Sequence, residues 1–73
     1  MNSPVRVGGH TAEAGRIAAL VLANQKQFTP ADARLAWRIS FWLNHDPKVI
    51  RRDAEIGEGL DRLHDGLVEA GLL

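Results

Sequence analysis

Two prolines divide this chain before any other feature is weighed. Proline has a fixed φ and no backbone N–H, so a helix accepts it in the first turn and not in the interior. Pro30 follows Thr29, and Asp32 stands two residues on. Threonine is a good N-cap, and proline suits the first helical position because an amide there would have no partner in the helix. A helix therefore opens at Pro30, with Asp32 placed to return a hydrogen bond to the cap in a variant of the capping box. Pro47 follows His45-Asp46, and the residue before a proline is pushed out of the helical region. The helix therefore closes near Asn44, and the rest of the chain must arrange itself around it.

The first helix is expected over 11–26. Thr11 is its candidate cap, and Glu13 lies in the first turn, where a carboxylate suits the helix dipole. Ala14, Ile17, Leu20, Val21 and Asn24 recur at helical spacing as one stripe. Gly15 costs the helix about 1 kcal/mol against alanine, which makes sense where another helix crosses closely. The polar run Asn24–Gln27 ends the helix, and Phe28 is expected to fold back as an anchor.

The third helix is expected over 47–70, capped by Asp46. Val49, Ile56, Leu60, Leu63, Leu67 and Ala70 fall at heptad a and d positions, with Asp53 the exception. A kink is expected near Arg52-Asp53 or near Gly57 and Gly59. Gly71 suits a C-cap with Leu72 packing back on the last turn. Residues 1–10, MNSPVRVGGH, are expected to form a flexible arm, in which Val5 and Val7 also fit a short edge strand. The expected architecture is an all-α, compact three-helix domain over 11–73.

At 100° per residue the central helix has two apolar faces. Leu35, Ala36, Ile39, Trp42 and Leu43 share one; Trp37 and Phe41 lie together away from it, beside Arg34 and Arg38. Either this helix is sandwiched between the other two, or Trp37 and Phe41 form an exposed patch with the two arginines. Aromatic and arginine side chains are those in which binding hot spots are enriched.

Charge is sorted along the chain. Residues 1–52 carry eight basic and three acidic side chains, and residues 53–73 carry six acidic and one basic, so a net charge of zero covers halves of +5 and −5. A chain of 73 residues makes one domain with a small stability margin, which oligomerisation often supplements. The absence of cysteine excludes disulfides and thiolate zinc sites and fits a cytoplasmic protein. No apolar run is long enough to span a membrane, and the first ten residues do not read as a signal peptide.

Little chemistry is on offer. His10, His45 and His64 lie in separate segments without ligand spacing. Asp61, His64 and Asp65 share one side of the last helix, a grouping that acidic helices show by chance, and no metal or other cofactor is expected. Thr11 and Ser40 lack a base at fixed spacing, and Gly8-Gly9 is not a phosphate loop. A chain this short has little room for a pocket of several hundred Å³. The expectation is that the protein is not an enzyme and takes no small-molecule substrate.

The order of segments, a first helix, then "FTPADARLA", then a last helix ending "LDRLHDGLVEAGLL", resembles the layout of small winged helix-turn-helix domains over about 45 residues. That resemblance implies a β-hairpin wing after the last helix and contact with DNA. Arg34, Arg38, Lys48, Arg51 and Arg52 form the basic centre that such contact would use. Against it, the last helix is acidic from Asp53 to Glu69 where a reading helix should be basic, and Gly71-Leu72-Leu73 stands where a wing would begin. The leading expectation is a small helical adaptor or inhibitor that binds another protein stoichiometrically through Arg34, Trp37, Arg38, Phe41, Asp61 and Asp65. A homodimer is one form of it, with the basic half of one copy against the acidic half of the other. A DNA-binding regulator is the alternative.

Overall fold

Thr29 opens the central helix as its position requires. Its Oγ1 accepts the N–H of Asp32 at 3.1 Å, and Pro30 takes the first helical place. In the computed structural model, which describes residues 11–73, the elements are α1 (Thr11–Ala23), a 3₁₀ turn (Gln25–Gln27), α2 (Pro30–His45), α3 (Lys48–Arg52) and α4 (Ala54–Glu69). The domain is all-α, built on three substantial helices with the short α3 between the last two. The expected arm and edge strand at 1–10 lie outside the described residues.

Each boundary has a local cause. The first helix stops three residues earlier than its pattern suggested. Asn24 leaves helical geometry with φ −126°, its Nδ2 donates to the Leu20 carbonyl at 2.8 Å, and the chain tightens into the 3₁₀ turn. At the end of α2 the Asp46 N–H still bonds to the Trp42 carbonyl at 2.8 Å, but Asp46 itself is extended ahead of Pro47. The kink in the last helical stretch falls at Asp53, not at the glycines. Asp53 adopts φ −90°, ψ 106°, and its Oδ1 accepts the N–H groups of Glu55 at 2.9 Å and Ile56 at 3.2 Å. That is an N-cap, so α4 restarts there as a separate helix.

The restart moves the apolar register. An unbroken helix over 47–70 would have turned Val49 inward; instead Ile50 is fully buried and Val49 half-buried. Ala70, at the other end of the expected stripe, is exposed. The core comprises Ala14, Ile17, Ala18 and Val21 of α1, Leu35, Ala36 and Ile39 of α2, Ile50 of α3, and Ile56, Leu60, Leu63 and Leu67 of α4. Phe28, Trp42, Leu43 and Leu72 pack around it.

The neighbours set the helix directions. A Cβ on Gly15, near the start of α1, would meet Leu43 at the end of α2 at 3.1 Å, so those two helices run antiparallel and cross closely there. Along α2 and back along α4, Arg38 meets Glu55, Leu35 fills the space over Gly59, Asp32 meets Arg62, and the Phe28 ring lies over Gly66. These four rungs are spaced three or four residues apart on both sides, the repeat of an antiparallel helix pair.

The last turn closes without a wing. Gly71 has φ +78°, its N–H bonds to the Val68 carbonyl at 3.1 Å, and the Leu72 N–H reaches the Leu67 carbonyl at 2.8 Å. This Schellman pattern satisfies the final carbonyls of α4, and Leu72 and Leu73 fold onto the core. There is no β-strand among the described residues, so the winged helix-turn-helix resemblance does not hold: the leucine spacing that suggested it belongs to the α4 core stripe and its C-cap. No helix among the described residues is long and apolar enough to cross a membrane.

Candidate protein-binding surface

The second helix does both things its two apolar faces permit. Leu35, Ala36 and Ile39 are buried between α1 and α4, while Trp37 stands 60% exposed on the opposite side. The helix is sandwiched without being covered all round. Among the described residues only Trp37 and Val68 are large apolar side chains left exposed.

Trp37 does not stand alone. Its ring stacks on Phe41, with centroids 5.7 Å apart and planes at 20°, and Phe41 in turn stacks on His45 at 4.0 Å and 15°. The three residues are four apart, so they follow one line along the helix. Trp42 meets Phe41 edge-on at 5.1 Å and ties the line to the side chains around the core. The His45 Nδ1 lies 2.8 Å from the Phe41 carbonyl oxygen. A carbonyl only accepts, so Nδ1 carries the proton and the ring is fixed against Phe41. His45 was not among the residues picked from the sequence; its spacing of four from Phe41 was the available signal.

The two arginines beside this line part company. Arg34, three residues before Trp37, is exposed and makes no hydrogen bond or ion pair among the described residues. Arg38 is turned across to α4, with Nη1 2.9 Å from Glu55 Oε1 and Nη2 3.5 Å from Asp53 Oδ2. It serves the helix pair and not the outer face. The basic centre expected for DNA is thinned in the same way. Arg52 lies 3.8 Å from Asp46, leaving the side chains of Arg34, Lys48 and Arg51 without an ion pair among the described residues.

Asp61 and Asp65 fall elsewhere. Both are on α4; Asp61 is half-buried and has interactions of its own, and Asp65 is exposed. Asp65 lines an open groove of about 530 Å³ between the start of α2 and the end of α4, with Phe28, Asp32 and Arg62 among its other walls. Space of several hundred Å³ is therefore present, contrary to the estimate from chain length, but as a surface groove. Asp32 also departs from expectation. Its carboxylate accepts from Arg62 Nη2 at 3.1 Å and Nε at 3.3 Å, and not from its own cap. His64 Nδ1 lies 3.7 Å from Asp65 Oδ1, and no group of three or more metal-ligating side chains converges among the described residues.

Comparison with models of known protein families, with curated proteins and with solved structures finds no match to this chain.

Proposed function

We propose that this protein is a binding module that engages another protein stoichiometrically, as an adaptor or inhibitor and without catalysis, through the outer face of α2. The observation that carries this reading is Trp37. A side chain of that size contributes about 1.5–3 kcal/mol or more when fully buried, yet it stands in water while the core beneath it is filled by smaller residues. Stacking on Phe41, itself stacked on His45, holds it in place before any partner arrives. Less rotamer freedom is then lost on binding, which is how a preformed patch gains affinity. Tryptophan next to arginine is also the composition of interface hot spots.

A test follows from the geometry. Full-length bait should retain a protein from cell extract; Trp37→Ala bait should lose it, with an unchanged circular-dichroism spectrum; Val68→Ala bait should keep it. Equal retention by all three baits would remove α2 from the interface.

Nucleic acid is the second reading, favoured by Lys48 and Arg51, which are exposed on α3 and unpaired among the described residues. It predicts duplex affinity that falls steeply with salt and weakens on charge reversal at Arg51.

A further inference from the structure

The partner's chemistry is the natural next question, and the charges around the aromatic line bear on it. We infer that the outer face of α2 receives an acidic segment of a different protein, its apolar side chains on Trp37 and Phe41 and its carboxylates toward Arg34, Lys48 and Arg51. This rests on the reading of that face as a protein contact.

Charged groups around this face divide into used and unused. Three carboxylates around the face are already engaged, and Glu58 is unpaired among the described residues. Asp32 holds Arg62, Asp53 caps α4 and meets Arg38, and Asp46 accepts the Lys48 N–H at 3.3 Å and faces Arg52. The side chains left without an ion pair among the described residues include Arg34, three residues before Trp37, and Lys48 and Arg51, which follow His45 in the chain. An aromatic line with an arginine beside it and two cations on the following α3, all unpaired among the described residues, and with no free acid on its own helix complements an acidic amphipathic segment. Such a segment would also satisfy the arginine fork bidentately. Glu58 sets the direction. It shares a groove of about 340 Å³ with Arg34 on the α4 side, so a carboxylate partner is turned away from α4 and runs along α2 toward α3.

A second copy fits this face poorly. Two-fold pairing centred on Phe41 lays Trp37 over the other copy's His45, but it offers each Arg34 no free carboxylate on the other copy's α2, whose one acid, Asp32, already holds Arg62. Of the charges that favoured a homodimer in the sequence, Arg38 is moreover spent inside one chain, on Asp53 and Glu55.

The experiment uses the ¹⁵N-labelled full chain and follows the Trp37 indole and His45 ring signals. The probes are three synthetic helical peptides of equal length, identical in their leucine and phenylalanine stripe, with glutamate, glutamine or lysine at every other position. The glutamate peptide should shift both signals saturably and the lysine peptide neither. Arg34→Glu should weaken the glutamate peptide by about tenfold, with the fold intact. If the glutamine or lysine peptide binds equally well, or if the signals move with the concentration of the chain alone, the acidic partner is excluded while the protein-contact reading stands. If no peptide shifts Trp37 at millimolar concentration, the inference is overturned. If a duplex oligonucleotide shifts the same signals instead, both the inference and the reading beneath it fall.

Discussion

Gly57 and Gly59 stand two apart on α4 and cost the isolated helix the same, about 0.8–1 kcal/mol each relative to alanine. Their surroundings separate them. A Cβ at Gly57 would meet nothing within 4 Å, whereas at Gly59 it would overlap the Leu35 side chain, whose Cγ would lie 3.3 Å away. Gly57→Ala should therefore raise the unfolding free energy by about 0.5–1 kcal/mol. Gly59→Ala should lower it by about 1–3 kcal/mol, because the buried Leu35 side chain must leave its place to clear the added methyl. Urea titration of the two variants checks both signs, and a stable Gly59→Ala would show that α2 and α4 are not held at this separation. Asp32 makes the same point about single residues. Its place three residues after Thr29 suggested a reciprocal cap, yet a guanidinium thirty residues away takes the carboxylate instead. A charged partner is the stronger competitor for an ionised acceptor.

At the scale of helices, Asp53 decides the architecture of the second half. Nothing between Lys48 and Glu69 forbids a single helix; the break is made by a side chain that caps from inside the run. Asp53→Ala should cost about 1–2 kcal/mol, the usual loss for a capping carboxylate. Asp53→Asn keeps the capping oxygen and loses the partly exposed pair with Arg38, so it should cost no more than about 1 kcal/mol. Thermal unfolding of both variants tests the order, and equal losses would mean that the ion pair, not the cap, holds the junction. This junction also marks where the sequence was legible and where it was not. Thr29-Pro30, Asp46-Pro47 and Gly71 act through backbone geometry within a few residues, so the ends of α2 and α4 could be placed from the letters alone. Ile50 in place of Val49 could not, because a heptad count presumes a continuous helix and the phase is lost at Asp53. The separation of Trp37 and Phe41 from the buried face of α2 was visible as an angle. That Trp37 is exposed and Phe41 half-buried was not, since it depends on which elements pack there. The diversion of Arg38 to partners fifteen and seventeen residues away was equally beyond a local pattern.

For the molecule as a whole, the two halves of opposite sign fold against each other instead of lying at opposite poles. The charges that break the segregation take part: Asp32 in the basic half meets Arg62, the single base among residues 53–73. With Arg38 on Asp53 and Glu55, these contacts fix the antiparallel register of α2 and α4, since a slip of one helical turn would set Arg38 opposite other partners. Setting register is a different matter from supplying stability. Arg38 and Arg62 are both substantially exposed in their pairs, and pairs of that kind contribute about 0–1 kcal/mol each and are screened by salt. The twelve buried apolar residues among the described residues are the dominant source of cohesion. Raising sodium chloride from about 0.05 M to about 0.5 M should therefore lower the unfolding free energy by no more than about 1 kcal/mol. Chemical denaturation with urea, which is uncharged, measures this without confounding the ionic strength. A loss of several kcal/mol would place the cohesion of α2 and α4 in their ion pairs and not in the core. Arg34, Lys48 and Arg51, without an ion pair among the described residues, take no part in that balance, so the proposed binding through α2 should weaken with salt while the fold beneath it stays nearly as stable as before.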